Sequence, residues 1–418
     1  MGDEEVEMEG EKKLEGKKNK PVRIGMIGLG MRSFLARYWH QPDGRSVITG
    51  AADLRPEALE KFRQEFGTDN DTDNMQLTTD YRELLANPEI DAVAITSPDY
   101  CHEEQAIEAL KAGKHVFCEK PLAITTEGCD RILEAWKESG KKLMIGFNMR
   151  YMNMFRTMKA IVESGTIGEI KAVWVRHFVG YGGDFYYHDW HAERIKSTSL
   201  LLQKGSHDID IIHWITGRYT KRVSAFGSLD YFGGDAPNDL TCPQCERQRT
   251  CPEAQFNERT QCAFRQEIDV EDNNMVIMEL EGGIKASYLQ CHFTPDYHRN
   301  YVFIGTEGRM ENSEPDGKVW VKTRKSGAWR DLSDQTYDIK TGEGTHGGAD
   351  PVICEEFLDM IQYGIEPVAH PLAGRMSVAT GCAAAASMRS GGQTVAIPPL
   401  ADDLLAFAGG KASASSTS

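Results

Sequence analysis

Val22-Arg23-Ile24-Gly25-Met26-Ile27-Gly28-Leu29-Gly30-Met31-Arg32-Ser33 is the stretch on which the reading of this chain turns. A β-rich apolar run ends in glycines and passes into a helix-compatible segment. A strand that turns through Gly-x-Gly into a helix offers backbone N–H groups and the positive end of a helix dipole to an anion. Gly28 permits the tight turn and Gly30 lets the backbone approach a pyrophosphate, with Leu29, Met31 and Arg32 completing the loop. Ser33, small enough to substitute, stands where a third glycine packs helix against strand. Alone the motif is weak. Asp53 gives it meaning: it closes the next apolar run, Ser46–Asp53, 25 residues after Gly28. An acid there accepts hydrogen bonds from an adenosine ribose and repels a 2′-phosphate. Asp53 therefore points to NAD, while Arg55 and Arg32 keep NADP open.

Working outward, apolar runs continue at Asp91–Pro98, His115–Pro121 and Lys142–Asn148, separated by helical patterns at Pro56–Phe66, Tyr81–Ala86, His102–Ala112 and Thr126–Ser139. Short strands alternating with amphipathic helices imply βαβ units and a doubly wound parallel sheet, an α/β fold. Near residue 150 the rhythm changes. A helix over Met152–Ser164 precedes longer strands at Glu169–Val179, Asn274–Glu281 and Lys285–His292, and helices return at Pro351–Tyr363 and Met376–Arg389. The expected division is a disordered tail over 1–20, a nucleotide domain over 21–150, a second domain over 151–400 and a terminal segment over 401–418.

The 418 residues are 40% hydrophobic, enough for two cores and too many for global disorder. Lys+Arg 47 against Asp+Glu 63 leaves a net charge of −16, which repels phosphate backbones and anionic lipid. No nucleic-acid or membrane partner is expected. With no apolar leader and no run long enough to span a bilayer, the reading is a cytoplasmic protein.

Chemistry gathers at two later motifs. In Glu119-Lys120-Pro121, proline forces the residue before it into extended geometry, which holds Lys120 at the carboxyl edge of the sheet where ligands sit. In Lys204-Gly205-Ser206-His207-Asp208-Ile209-Asp210 a loop enters a helix, with Ser206 expected as its N-cap, Asp208 in its first turn and His207 beside them.

Together these motifs make the sequence resemble the glucose–fructose oxidoreductase / inositol dehydrogenase / MocA family of nicotinamide-dependent sugar dehydrogenases. IGLGMR, AADLRPE, SPDYCH, CEKPL, GFNMRY and SHDIDIIHWITG carry the likeness in family order, and GTEGRMEN and HGGADP extend it. The resemblance implies a Rossmann-type domain followed by an α+β domain with a large, mostly antiparallel open sheet. It implies Lys120 between nicotinamide and substrate hydroxyl, and His207 as acid/base. Ser97, Asp99, His102, Glu119 and Asn148 would join the glycine loop, Asp53 and Arg55 at the cofactor. Arg150, Tyr151, Lys204 and Asp210 would border substrate, with Trp190, His191 and Arg194 of the polar, aromatic 187–194 segment. A homo-oligomer, dimer or tetramer, is implied as well. One departure stands out: Gln203 occupies a position where many members carry an aspartate, and glutamine carries no titratable proton.

Cys242, Cys245, Cys251 and Cys262 follow a Cys-x2-Cys-x5-Cys-x10-Cys spacing in a polar stretch over 240–263. One close pair plus two further thiols suits a closed, structural zinc site, with reduced thiols or disulfides as the alternatives. The leading functional expectation is an NAD(P)-dependent oxidoreductase acting on a secondary alcohol of a sugar, sugar derivative or cyclitol. A redox-neutral glycosidase with tightly held NAD and a non-catalytic NAD-binding sensor are the competing readings.

Overall fold

A computed structural model of the chain describes residues 20–67, 75–180, 185–325, 327 and 330–409. Of the expected tail over 1–20 only Lys20 is described, and of the terminal segment over 401–418 residues 401–409 are, with a helix at Asp402–Phe407. The first layer is a six-stranded parallel sheet of β1 (Val22–Ile27), β2 (Ser46–Ala52), β3 (Gln76–Thr78), β4 (Ala92–Ile95), β5 (His115–Cys118) and β6 (Leu143–Ile145). Their spatial order is β3-β2-β1-β4-β5-β6. Helices on both faces bury the central strands completely, so Ala92-Val93-Ala94-Ile95 is apolar without alternation. Strand order reverses between β1 and β4, and a crevice opens there at the carboxyl ends. The helices Pro56–Phe66, Tyr81–Ala86 and Thr126–Ser139 lie at their expected bounds, the last capped by Thr125, whose hydroxyl accepts from the Gly128 N–H. β3 escaped the sequence reading because Gln76-Leu77-Thr78 is only three residues long and carries one apolar side chain.

The second layer is a nine-stranded sheet: β7 (Ile170–Val179), β8 (Thr220–Ser228), β9 (Asn273–Leu280), β10 (Lys285–Thr294), β11 (His298–Gly305), β12 (Gly308–Ser313), β13 (Lys318–Thr323), β14 (Gln335–Asp338) and β15 (Val395–Ala396). Its order is β14-β13-β12-β11-β7-β10-β9-β8-β15, and only the β7–β10 pair is parallel. Alternation sends Val175, His177, Tyr288, Gln290, Arg299 and Tyr301 to the inner face, where all are buried.

One late helix does not stay with this second sheet. Ala349–Tyr363 returns to the first core, where the Phe357 ring sits 5.8 Å from Trp39 and 5.7 Å from Phe117. Between the layers runs the helix Ser206–Thr216, with Ile209, Ile211, Ile212 and Ile215 buried. Its N-cap is Gly205, not Ser206 as expected. The preceding helix, Leu200–Gln203, runs almost directly into it, and helical backbone at Lys204 and Gly205 leaves no extended residue for a cap. Ser206 instead donates to the Gln203 carbonyl at 3.4 Å.

Candidate active site

At the end of β1, Gly28 has φ +87, and a Cβ there would lie 2.5 Å from the Ser97 backbone, so only glycine fits. Gly30 differs: the nearest heavy atom to its Cβ would be the Thr96 carbonyl at 4.0 Å. That open room is what a pyrophosphate approaching the loop requires. The Leu29 N–H donates to Asp53 Oδ2 at 2.7 Å, and Arg55 Nε lies 3.0 Å from Oδ1. Burial alone raises the Asp53 pKa, but bonds from Arg55 and Leu29 outweigh it and hold the carboxyl below its ordinary value. An ionised acceptor at the end of β2 fits a ribose and opposes a 2′-phosphate.

Arg32 does not keep NADP open as the sequence suggested. Its guanidinium points inward, with Nε 2.6 Å from Glu119 and a terminal nitrogen 3.1 Å from Asp350. Asn148 donates to the same Asp350 carboxylate at 3.1 Å. His102 has both ring nitrogens against carbonyls, Pro121 at 2.7 Å and Ser97 at 3.0 Å, and so clips the loop after β4 to the loop after β5. It shapes the crevice from behind. Met31 is exposed at the crevice mouth.

Lys120, at the end of β5, donates from Nζ to the Gln203 carbonyl at 3.1 Å. Burial lowers its ammonium to about 8, with the Asp99 carboxylate opposing the shift and Lys204 adding to it. His207 lies in the same electrostatic neighbourhood. Burial, then Lys120 and Arg299, push the His207 imidazole well below its ordinary pKa, so it is neutral at neutral pH. Its Nδ1 has no hydrogen-bond partner, and neither do Asp99 Oδ2, Gln203 Oε1, His191 Nδ1 or the two ring nitrogens of His292. Buried polar atoms without partners are expensive.

Asp208, one residue beyond His207, has the opposite surroundings. It accepts from Tyr288 Oη at 2.8 Å and from Tyr301, lies 2.9 Å from His177 Nδ1, and pairs with Arg299 at 3.2 Å. Burial pushes its pKa up, but Arg299 and His177 win and keep it well below the carboxylate range. His177, Tyr288, Arg299 and Tyr301 were not found from the sequence. The available signal was polar residues at inward positions of otherwise apolar strands, and it becomes readable only once strand register is known.

The expected substrate residues divide. Lys204 Nζ sits 5.3 Å from the Tyr186 ring centre and 5.5 Å from that of Tyr297. His191 stacks on Trp190 at 3.7 Å between ring centres, and Trp190 meets Tyr100 edge-on. Arg150 and Asp210 are spent on each other through two bonds of 2.8 and 2.6 Å. Tyr151 is buried and bonded to Glu356. Arg194 pairs with Glu271, which Arg389 also holds. These last four brace the fold around the pocket.

The cysteine-bearing segment braces it too. Buried Arg265 donates to the carbonyls of Tyr187 and, at 3.1 Å, Asp189, while His188 Nδ1 lies 2.6 Å from the Gln261 carbonyl. Cys242, Cys245, Cys251 and Cys262 line one small cavity with Ala263 and Phe264, and all four are free thiols. Among the described residues no three His, Cys, Asp or Glu side chains are grouped to hold a metal ion. The four cysteines of the expected site are thus brought together around one cavity, and a zinc site among them is not supported.

Comparison with known proteins agrees with this geometry. Residues 22–147 match the family described as "Oxidoreductase family, NAD-binding Rossmann fold", and residues 155–311 match "GFO/IDH/MocA C-terminal domain". The chain is 26% identical over 344 residues to YteT of Bacillus subtilis (strain 168), named as an oxidoreductase without a stated substrate, covering 72% of this chain and 80% of that one. It is 30% identical over 211 residues to inositol 2-dehydrogenase of Salmonella typhimurium (strain LT2), covering 49% of this chain and 57% of the enzyme. Among solved structures, levoglucosan dehydrogenase in complex with NADH and levoglucosan superposes with a TM-score of 0.74 at 20% identity, covering 91% of this chain and 100% of that one. The apo scyllo-inositol dehydrogenase of Lactobacillus casei gives 0.67 at 22%, covering 90% and 98%. At such identities these two structures speak for the fold.

Proposed function

The chain belongs to the GFO/IDH/MocA oxidoreductase family, and from that premise we propose that it is an NAD-dependent dehydrogenase of a secondary alcohol on a sugar, sugar derivative or cyclitol. The observation that carries the reading is that Lys120, just past the carboxyl end of β5, and His207 are close enough to act on each other electrostatically, among buried polar atoms without partners. The Gly28–Gly30 loop and Asp53 would hold the dinucleotide, which supplies a hydride acceptor when bound. The Lys120 ammonium, lowered to about 8, donates to the substrate oxygen and steadies negative charge developing there. Neutral His207 offers an imidazole nitrogen to the hydroxyl proton. Lys204, His191 and Trp190 border the sugar face, where hydroxyls meet polar atoms and C–H faces meet aromatic rings.

Asp53 favours NAD over NADP, and the inward turn of Arg32 removes one candidate for a 2′-phosphate. The outer face of the nine-stranded sheet exposes Trp174, Phe226, Met275, Ile277 and Ile304 on neighbouring strands, which supports a homo-oligomer built by covering that face with a second copy. Among the described residues no helix is long and apolar enough to cross a membrane.

The test is NADH formation at 340 nm over a panel of inositols, aldoses, anhydrosugars and glycosides. Substrate-dependent NADH formation with NAD, weaker with NADP, is expected. Release of free sugar from glycosides without net NADH would replace the reading with the redox-neutral glycosidase.

A further inference from the structure

Asp350, in the first turn of the helix Ala349–Tyr363, is fully buried, yet its carboxylate serves three stretches of chain. Arg32, just past the glycine loop, donates to it from both terminal nitrogens, at 3.1 and 3.3 Å. Asn148, after β6, donates at 3.1 Å. Thr345 donates its hydroxyl at 2.5 Å, and His346 Nδ1 lies 2.6 Å away. His346 reaches Asp350 from a left-handed backbone with φ +49, between glycines that also have positive φ. The Tyr38 hydroxyl pins that turn by accepting the Thr345 N–H at 3.2 Å. A non-glycine residue is kept in such a conformation only where its surroundings enforce it, and strain of this kind gathers at working parts of a protein.

The same guanidinium holds a second acid. Arg32 Nε lies 2.6 Å from Glu119 Oε1, and the other Glu119 oxygen accepts the Lys120 backbone N–H at 3.2 Å. A Cβ on Gly146 would lie 2.8 Å from that second oxygen, so a glycine after β6 keeps the room in which Glu119 sits. Asp350, Arg32, Glu119 and Lys120 are thereby joined by one unbroken run of hydrogen bonds. We propose that Asp350 is a positioning residue: it fixes Arg32, and through Arg32 and Glu119 it sets both the dinucleotide loop and the main chain that carries Lys120.

The chemistry of the run suits this role. A planar guanidinium offers donors in a fixed fork, so one arginine can span two carboxylates and hold both in place. Burial pushes the Asp350 pKa up, but His346 and Arg32 outweigh it and keep the carboxylate ionised. Asparagine at 350 would keep the shape, lose the charge and leave Arg32 to Glu119 alone. The consequence for turnover rests on the dehydrogenase reading above; the placement of loop and lysine does not.

The experiment titrates NADH by fluorescence and follows acetylation of Lys120 by acetic anhydride, read by mass spectrometry, in the full-length protein. Circular dichroism reports that each variant is folded. Asp350→Asn should weaken NADH binding about tenfold and speed the labelling of Lys120 severalfold. In an Arg32→Met background the same substitution should add less than about twofold, because the link it acts through is gone. A residue that only supports the fold would cost the same factor in both backgrounds. Arg32→Lys keeps the charge without the fork and should lose NADH affinity as Arg32→Met does; it decides alone if Asp350→Asn does not fold. With a polyol that is turned over, kcat of Asp350→Asn should fall by up to about 10²-fold while KM for the polyol stays near wild type. Unchanged binding and labelling in folded Asp350→Asn, equal losses in both backgrounds, or Arg32→Lys behaving as wild type overturns the proposal. The expected binding and labelling with no turnover of any polyol supports the positioning role and removes only the dehydrogenase reading.

Discussion

Asp99 and Asp208 are both buried, they belong to the two different layers, and they carry opposite electrostatics. Asp208 faces the nine-stranded sheet, where His177, Tyr288, Tyr301 and Arg299 all turn toward it. Asp99 faces the nucleotide sheet and keeps an oxygen open. Burial pushes both pKa values up; the supply of donors and cations decides which carboxyl stays charged. One side is saturated with partners, while the other keeps a carboxylate oxygen open. A side chain on the first should matter to stability, and one on the second to turnover.

The sharpest contrast comes from the chemical side. Lys120→Met and His207→Gln should each lower kcat by about 10²–10⁴. Thermal stability should stay close to wild type, checked by steady-state kinetics and calorimetry on the same preparations. On the saturated side, Asp208→Asn leaves Arg299 buried without its counter-charge, and chemical denaturation should show a loss of about 3–5 kcal/mol. If Asp208→Asn is stable but inactive, the division fails.

Gly30→Ala should fold normally, since its Cβ meets open space, yet NADH titration should show affinity down by about tenfold or more. Arg265→Ala releases the carbonyls of Tyr187 and Asp189, and should raise KM more than it lowers kcat while costing about 1.5–3 kcal/mol.

The smallest effect is one of pH. A carboxyl whose folded pKa is raised contributes stability fully present below its unfolded pKa and lost as pH rises through the folded value. For Asp99 that window runs from about 4 to about 7. The stability of the wild type relative to Asp99→Asn should therefore fall as pH rises across it. Asp208, depressed by its partners, has the reverse sign: its contribution is lost as pH falls below the ordinary carboxylate range.

Most of the nucleotide half was legible because its signals are local. Strand-glycine-helix order, an acid at the end of β2 and proline after Lys120 each act within a few residues. Legibility failed where a side chain's partner lay far along the chain. Arg32 and Glu119 are 87 positions apart, and Arg150 and Asp210 are 60 apart. Both arginines looked available for ligand in the sequence and both are occupied.

The sequence by itself determined a doubly wound nucleotide domain, its dinucleotide loop and the candidate pair Lys120 and His207. Periodicity and turn chemistry are short-range properties of the chain. Only the tertiary structure decided which buried groups have partners. It spent Arg32, Arg150 and Asp210 on internal pairs, closed a polar wall around Asp208, and left an Asp99 oxygen without a partner. The cost of burying a charge depends on every neighbour that folding brings near it, and those neighbours come from segments that no local pattern connects.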